Sequence, residues 1–188
     1  MTSIDRVPTT NRPAADDDAG DWALRRAATL FVVVVLLHGA DHLRRGVDAA
    51  GLDVFWLGTS GITIEVAVVV LIAMRHRLAP LAAMSIGLSL AAGYLAVHFL
   101  PARSLFSDSF TSARDVSLLS WTAASLEVIA AVTLGVVGLL VVRRRGGLAH
   151  ATAPHAAQRP LAVALRDPLS VVMIAGNLAL VVVSAFQY

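Results

Sequence analysis

The residues of this sequence that could do chemistry are few and spaced to act together: His38, Asp41, His42, Glu65, His98, Glu127 and Asn177. Each interrupts a stretch that is otherwise almost wholly apolar. An ionisable side chain at mid-helix in a bilayer costs about 2.5–3.5 kcal/mol on the insertion scale, which makes each a candidate for function. His38 and His42 stand at i and i+4, and Asp41 is at i+3 from His38, so a helix projects all three from one side. Such a pair can ligate one metal ion, with His98 as a third nitrogen and Asp41 as fourth ligand or supporting acid. Imidazole with carboxylate suits a divalent zinc, iron, nickel or cobalt ion. Glu65, Glu127 and Asn177 would continue the site as a cation path or proton relay.

Divalent-cation binding or transport is therefore the leading expectation. The segment from His38 to His42 resembles the His/Asp-rich segments of nickel and cobalt permeases, at a shorter spacing and with no further match along the chain. An accessory or proton-relay subunit, in which the polar residues hold helices together, is the second reading. A haem held axially by two histidines such as His42 and His98 ranks below the bare metal. Three His and a carboxylate also make a zinc hydrolase conceivable, but no motif names a substrate and a non-catalytic role is expected.

Composition excludes much else. The chain has 188 residues, 57% hydrophobic and 15% charged, whereas a soluble domain is about a quarter charged. It has no cysteine, so disulfides, thiolate metal sites and cysteine nucleophiles are absent. It has no lysine either, which removes Schiff-base chemistry. A formal net charge of +2 without a basic stripe excludes nucleic acid as a partner. The expected partners are the lipid bilayer and a second copy or a larger membrane complex.

The elements that must position these residues are runs of about twenty apolar residues, each long enough to cross a hydrocarbon core of about 30 Å. They predict an all-α integral membrane protein: a bundle of five transmembrane helices over about 22–43, 54–74, 81–100, 116–142 and 168–187. Residues 1–21 read as a disordered cytoplasmic tail, and 143–167, with His150 and His155, as a flexible cytoplasmic loop. Pro80 suits the first turn of the third helix, and Asp167 the N-cap of the fifth. Arginines alternate between loops, eleven with the N-terminal side and four on the other. The positive-inside rule then places the N-terminus in the cytoplasm and the C-terminus outside, in a multi-pass protein of the cell membrane.

Depth and face follow from this scheme. Glu65 and Glu127 each lie eleven residues from the outer end of their spans, roughly 16 Å deep and near the midplane. His38 is about 7 Å deep, while Asp41, His42 and His98 lie within one turn of the outer end. The acids and histidines form a ladder open to the outside. Polar or small seams mark the helices: Ser117, Ser120, Ala124 and Glu127 on the fourth, Ser170, Asn177 and Ser184 on the fifth. On the third, Ser85, Ser89 and Gly93 form the stripe expected to admit a close neighbour. The loop 101–115 could cap an upper cavity, with Asp108 and Asp115 attracting cations, but reads first as an interfacial connection with Phe106 and Phe110 as aromatic anchors; Arg44 and Arg45 read as headgroup contacts or as partners of Asp48 or Asp53.

Overall fold

The structure, a computed structural model, describes residues 12–46, 49, 51–101, 106–148 and 158–185. Helix α1 (Arg12–Arg45) is followed by α2 (Leu52–Ala73) and α3 (Ala79–Tyr94), which continues as a π-helical turn (Leu95–Phe99). After the 106–117 loop come α4 (Leu118–Arg144), the short α5 (Leu161–Ala164) and α6 (Pro168–Ala185). No strand occurs among the described residues. Four helices, α1 to α4 with its π turn counted in α3, are long and apolar enough to cross a membrane. Their outward-facing Leu30, Val33, Leu88, Ile129 and Leu140 suit a bilayer as surroundings. The apolar stretch Pro168–Ala179 of α6 is shorter.

The helix order is set by small residues and by polar groups, because lipid chains give apolar helices no hydrophobic reason to associate. α3 and α4 pack most closely, α1 lies against α4 and α6, and α2 lies against α3 and α6. The ring therefore runs α1, α4, α3, α2, α6 and back to α1. The expected stripe of Ser85, Ser89 and Gly93 is not the close face: Ser85 and Ser89 are exposed, and a Cβ on Gly93 would meet nothing within 4 Å. Contact is made one strip over by Ala83, Gly87 and Ala91, all buried. A Cβ on Gly87 would come 2.7 Å from the Gly135 backbone nitrogen, and one on Gly138 would come 2.5 Å from that of Met84. Absence of side chains on both helices is what lets their backbones touch.

One end of the ring is tied by charge. α1 is helical from Arg12, ten residues before the expected span, and residues 1–11 lie outside the described ones. Two acids of this extension are paired: the exposed Asp18 with Arg75 at 2.9 Å and the buried Asp21 with Arg145 at 3.1 Å. Arg25 pairs with Asp167, which also caps α6 by accepting from the Ser170 backbone at 2.8 Å. Burial opposes the Asp167 charge, but Ser170 and Arg25 hold its carboxyl down to about 2. Part of the expected flexible loop is docked, since the Arg159 amide donates to the Met74 carbonyl at 2.7 Å. His150 and His155 lie outside the described residues. Pro80 stands in the first turn of α3, as its fixed φ suits.

Candidate metal centre

At the other end of the ring three imidazoles meet. His38 and His42 come from the last turns of α1, and His98 from the π turn that ends α3. Ring centroids are 4.7 Å apart for His38–His42, 4.7 Å for His38–His98 and 5.8 Å for His42–His98. One nitrogen from each ring can be chosen so that all lie within 4.8 Å of one another. α1 and α3 are not among the closely packed helix pairs, because α4 stands between them. The imidazoles span the interior of the ring instead. The π turn contributes here: a wider turn re-aims side chains relative to an α-helix, and such turns recur at functional sites. It ends where Leu100 turns extended before Pro101.

The ring nitrogens are sorted by their partners. His38 Nδ1 is hydrogen-bonded to a Glu127 carboxylate oxygen, and both side chains are buried. His98 Nδ1 donates to the Asp108 carbonyl at 3.3 Å and lies 3.5 Å from its carboxylate. A carbonyl only accepts, so His98 carries its proton on Nδ1 and presents Nε2 as a lone pair. His38 is held in the same way by its Nδ1, and its Nε2 is buried without a hydrogen-bond partner. Carboxylate or carbonyl on one nitrogen and an open lone pair on the other is how metal-ligating histidines are held.

Asp108 is fixed in turn by Arg45, which donates to its two carboxylate oxygens at 2.6 and 2.7 Å. Arg45 also reaches the Arg114 carbonyl at 3.2 Å. Burial works against the Asp108 charge, but the hydrogen bonds from Arg45 and His98 hold its carboxyl down to about 2. Phe110 is buried against His98 at 4.7 Å and Trp121 at 5.4 Å. Its amide donates to the His98 carbonyl at 3.0 Å. The loop thus folds over the histidines, and neither Phe110 nor Arg45 is an interfacial anchor, whereas Phe106 and Arg44 are exposed.

Asp41 stands outside the group of three whose ligand atoms converge, with its Oδ2 buried and without a hydrogen-bond partner. It accepts from Arg44 Nε at 2.9 Å, and the same guanidinium reaches Ser117 and Ser120 at the start of α4 at 3.2 and 3.1 Å. At about 100° per residue, Asp41 lies about 60° to one side of His38 and His42 about 40° to the other. The side towards α4 takes the acid, and the side towards the interior takes the imidazole. Ser120, Ala124 and Glu127 are buried as their shared face requires.

Glu65 is also buried, and its partner is Tyr94, whose hydroxyl donates to it at 2.6 Å. Its other oxygen has no hydrogen-bond partner. Asn177 is fully buried, donates to the Met173 carbonyl at 3.1 Å and leaves its own oxygen unpartnered. Ser170 is buried beside the α6 cap, and the side chain of Ser184 lies outside the described residues. Tyr94 stands four residues before His98, a spacing that gives no sign of its partner Glu65 on another helix. For Asp108 and Arg45, 63 residues apart, no local pattern signals the pairing.

His38, His42, His98, Glu65, Glu127 and Tyr94 all face one partly open cavity of about 560 Å³ between α1, α2 and α3. No protein family, curated protein or solved structure matches this chain.

Proposed function

We propose that this chain is a five-span protein of the cell membrane, N-terminus in the cytoplasm, that binds one divalent transition-metal ion at His38, His42 and His98. The observation that carries the reading is the convergence of three imidazoles with one nitrogen from each within 4.8 Å of the others, His38 keeping a buried Nε2 without a hydrogen-bond partner while its Nδ1 meets Glu127. A buried polar atom without a partner costs about 1–3 kcal/mol, and a cation bound to the neutral ring removes that cost. Zinc–nitrogen bonds of about 2.0–2.1 Å in a tetrahedral site put ligand nitrogens roughly 3.4 Å apart. Loading would therefore draw the three rings inward by about 1 Å, within the reach of small side-chain rotations. Three neutral nitrogens leave a fourth position open.

The five-span count and the orientation rest on the alternation of arginines between loops, and on Asp167, which begins α6 at the end of the ring where α1 also begins. The triad then lies in the outer half of the membrane. Binding has more support than transport. Inward of Glu65 and Glu127 the interior is filled by Phe31, Val69, Ile72, Leu134 and Met173, all buried to 1–2% or less, so an ion path through Asn177 would need that packing to open. Haem is disfavoured by geometry: a macrocycle between His42 and His98 would collide with His38, whose ring lies 4.7 Å from both.

The test is the metal content of the purified protein after reloading with zinc, iron, nickel or cobalt, for wild type and each single His→Ala variant. One ion per chain in wild type is expected, with loss in all three variants. Full occupancy in His98→Ala would overturn the triad. A wild type that takes up no metal would favour the accessory reading, with the polar residues as helix-packing contacts.

A further inference from the structure

We infer that the cavity beside the triad seats a single-chain amphiphile, a carboxyl or carbonyl head on the bound metal and its hydrocarbon chain along α2. This deepens the metal reading and rests on it. The cavity is far too large for the ion alone. A water's share of volume is about 30 Å³, so an ion with two or three waters occupies on the order of 100 Å³. The cavity holds about 560 Å³, within the range of sites that enclose small organic molecules.

Its chemistry is two-ended. The histidines, the glutamates and Tyr94 supply the titratable groups and Thr59, Ser60 and Ser89 further hydroxyls, while Val35, Leu36, Val54, Leu57, Ile62 and Leu90 supply aliphatic wall. A mostly aliphatic space of this size does not order water, and apolar cavities take apolar guests. At the polar end, a divalent ion on three neutral imidazoles keeps an open position and its positive charge, which favours an anionic or carbonyl oxygen.

The space is made by residue choice. Gly58, Gly61 and Gly93 line it, and a Cβ on any of them would meet nothing within 4 Å. This contrasts with Gly87, Gly135 and Gly138 in the same bundle, where the missing side chain is filled by a neighbouring helix. Gly58 and Gly61 lie on α2, whose outer-half residues Trp56, Leu57 and Ile64 are exposed at 57%, 45% and 48%. Leu57 and Ile64 themselves line the partly open cavity, so a chain in the bilayer can enter beside this half of α2. Glu65 lines the same space, and its oxygen without a partner could donate to an oxygen of the head group when protonated and turned towards it.

The experiment uses the full chain in phosphatidylcholine nanodiscs, loaded with cobalt(II), whose visible band reports its coordination. Acetate, octanoate and laurate are titrated in turn. Laurate is expected to shift the band at a far lower concentration than acetate. Gly58→Leu, which places a side chain in the cavity, should raise the laurate midpoint about tenfold, since each displaced methylene is worth about fourfold. The cobalt band and the acetate midpoint should stay as in wild type. Gly93→Leu makes the same test from the α3 wall and guards against misfolding of the first variant. Equal midpoints for laurate and acetate, or an unchanged laurate midpoint in both variants, would overturn the amphiphile while leaving the metal site standing. No cobalt band in wild type would overturn the metal reading and this inference with it.

Discussion

Replacing Arg45 by Met tests whether the loop over the triad is held by a buried ion pair. The Arg45 and Asp108 side chains are 0% and 1% exposed and joined by two short hydrogen bonds. Removing one partner strands the other charge, which typically costs about 3–5 kcal/mol. Asp108→Leu should lie at the upper end of that range, because a stranded guanidinium cannot shed its proton. Removing both charges in Arg45→Met/Asp108→Leu should restore most of the stability, since an apolar pair of similar volume is often neutral or better. A double-mutant cycle by equilibrium unfolding in mixed micelles, followed by circular dichroism, reads the coupling directly. Metal affinity separates from stability in the double variant. His98 keeps the backbone carbonyl of residue 108 but loses the carboxylate 3.5 Å away, so affinity should fall about tenfold, the lower end for loss of such a partner. If Arg45→Met unfolds within about 1 kcal/mol of wild type, a value usual for exposed ion pairs, the pair is not a buried anchor and the argument for a docked loop fails.

The two glutamates should behave differently in a competitive zinc titration. Glu127→Gln still accepts from His38 but loses its charge and should weaken binding about 10- to 100-fold, whereas Glu65→Gln, which faces Tyr94, should leave affinity unchanged; equal effects would contradict the assignment of Glu127 to His38. Gly138→Ala drives a Cβ into the backbone of Met84 and Pro80, at 2.5 and 2.6 Å, and should cost about 1–3 kcal/mol in thermal unfolding, while Gly61→Ala should be without effect. Asp167 is ionised in the folded chain down to about 2 instead of its ordinary 3.8, so its contribution is complete above 3.8 and is lost as pH falls towards 2. Protection of the first turn of α6, read as the exchange rate corrected for intrinsic exchange, should therefore fall only in that acid window, and Asp167→Asn should abolish this pH dependence of the protection.

Much of this protein is legible in its residues taken in order. Runs of apolar residues determine helices, and helical periodicity determines depth and face. These two alone put His38 beside His42, set Glu65 and Glu127 deep in their helices, and bury Ser120, Ala124 and Glu127 along one seam. Local signals also place Pro80 and Asp167 at helix starts. What a face meets is another matter, because a helix surface carries no label for its neighbour. Two stripes of small residues run along α3, and only the fit of Gly87 against Gly135 decides that the one through Ala83 and Ala91 is the contact. Asp41 and His42 are adjacent in sequence, yet the ring order sends the first to Arg44 and α4 and the second inward. Arg45 and Asp108 each read as solvated charges at a membrane surface, where charge costs least. Their burial becomes favourable only when the chain brings them together across 63 residues, and that pairing is a property of the tertiary structure alone.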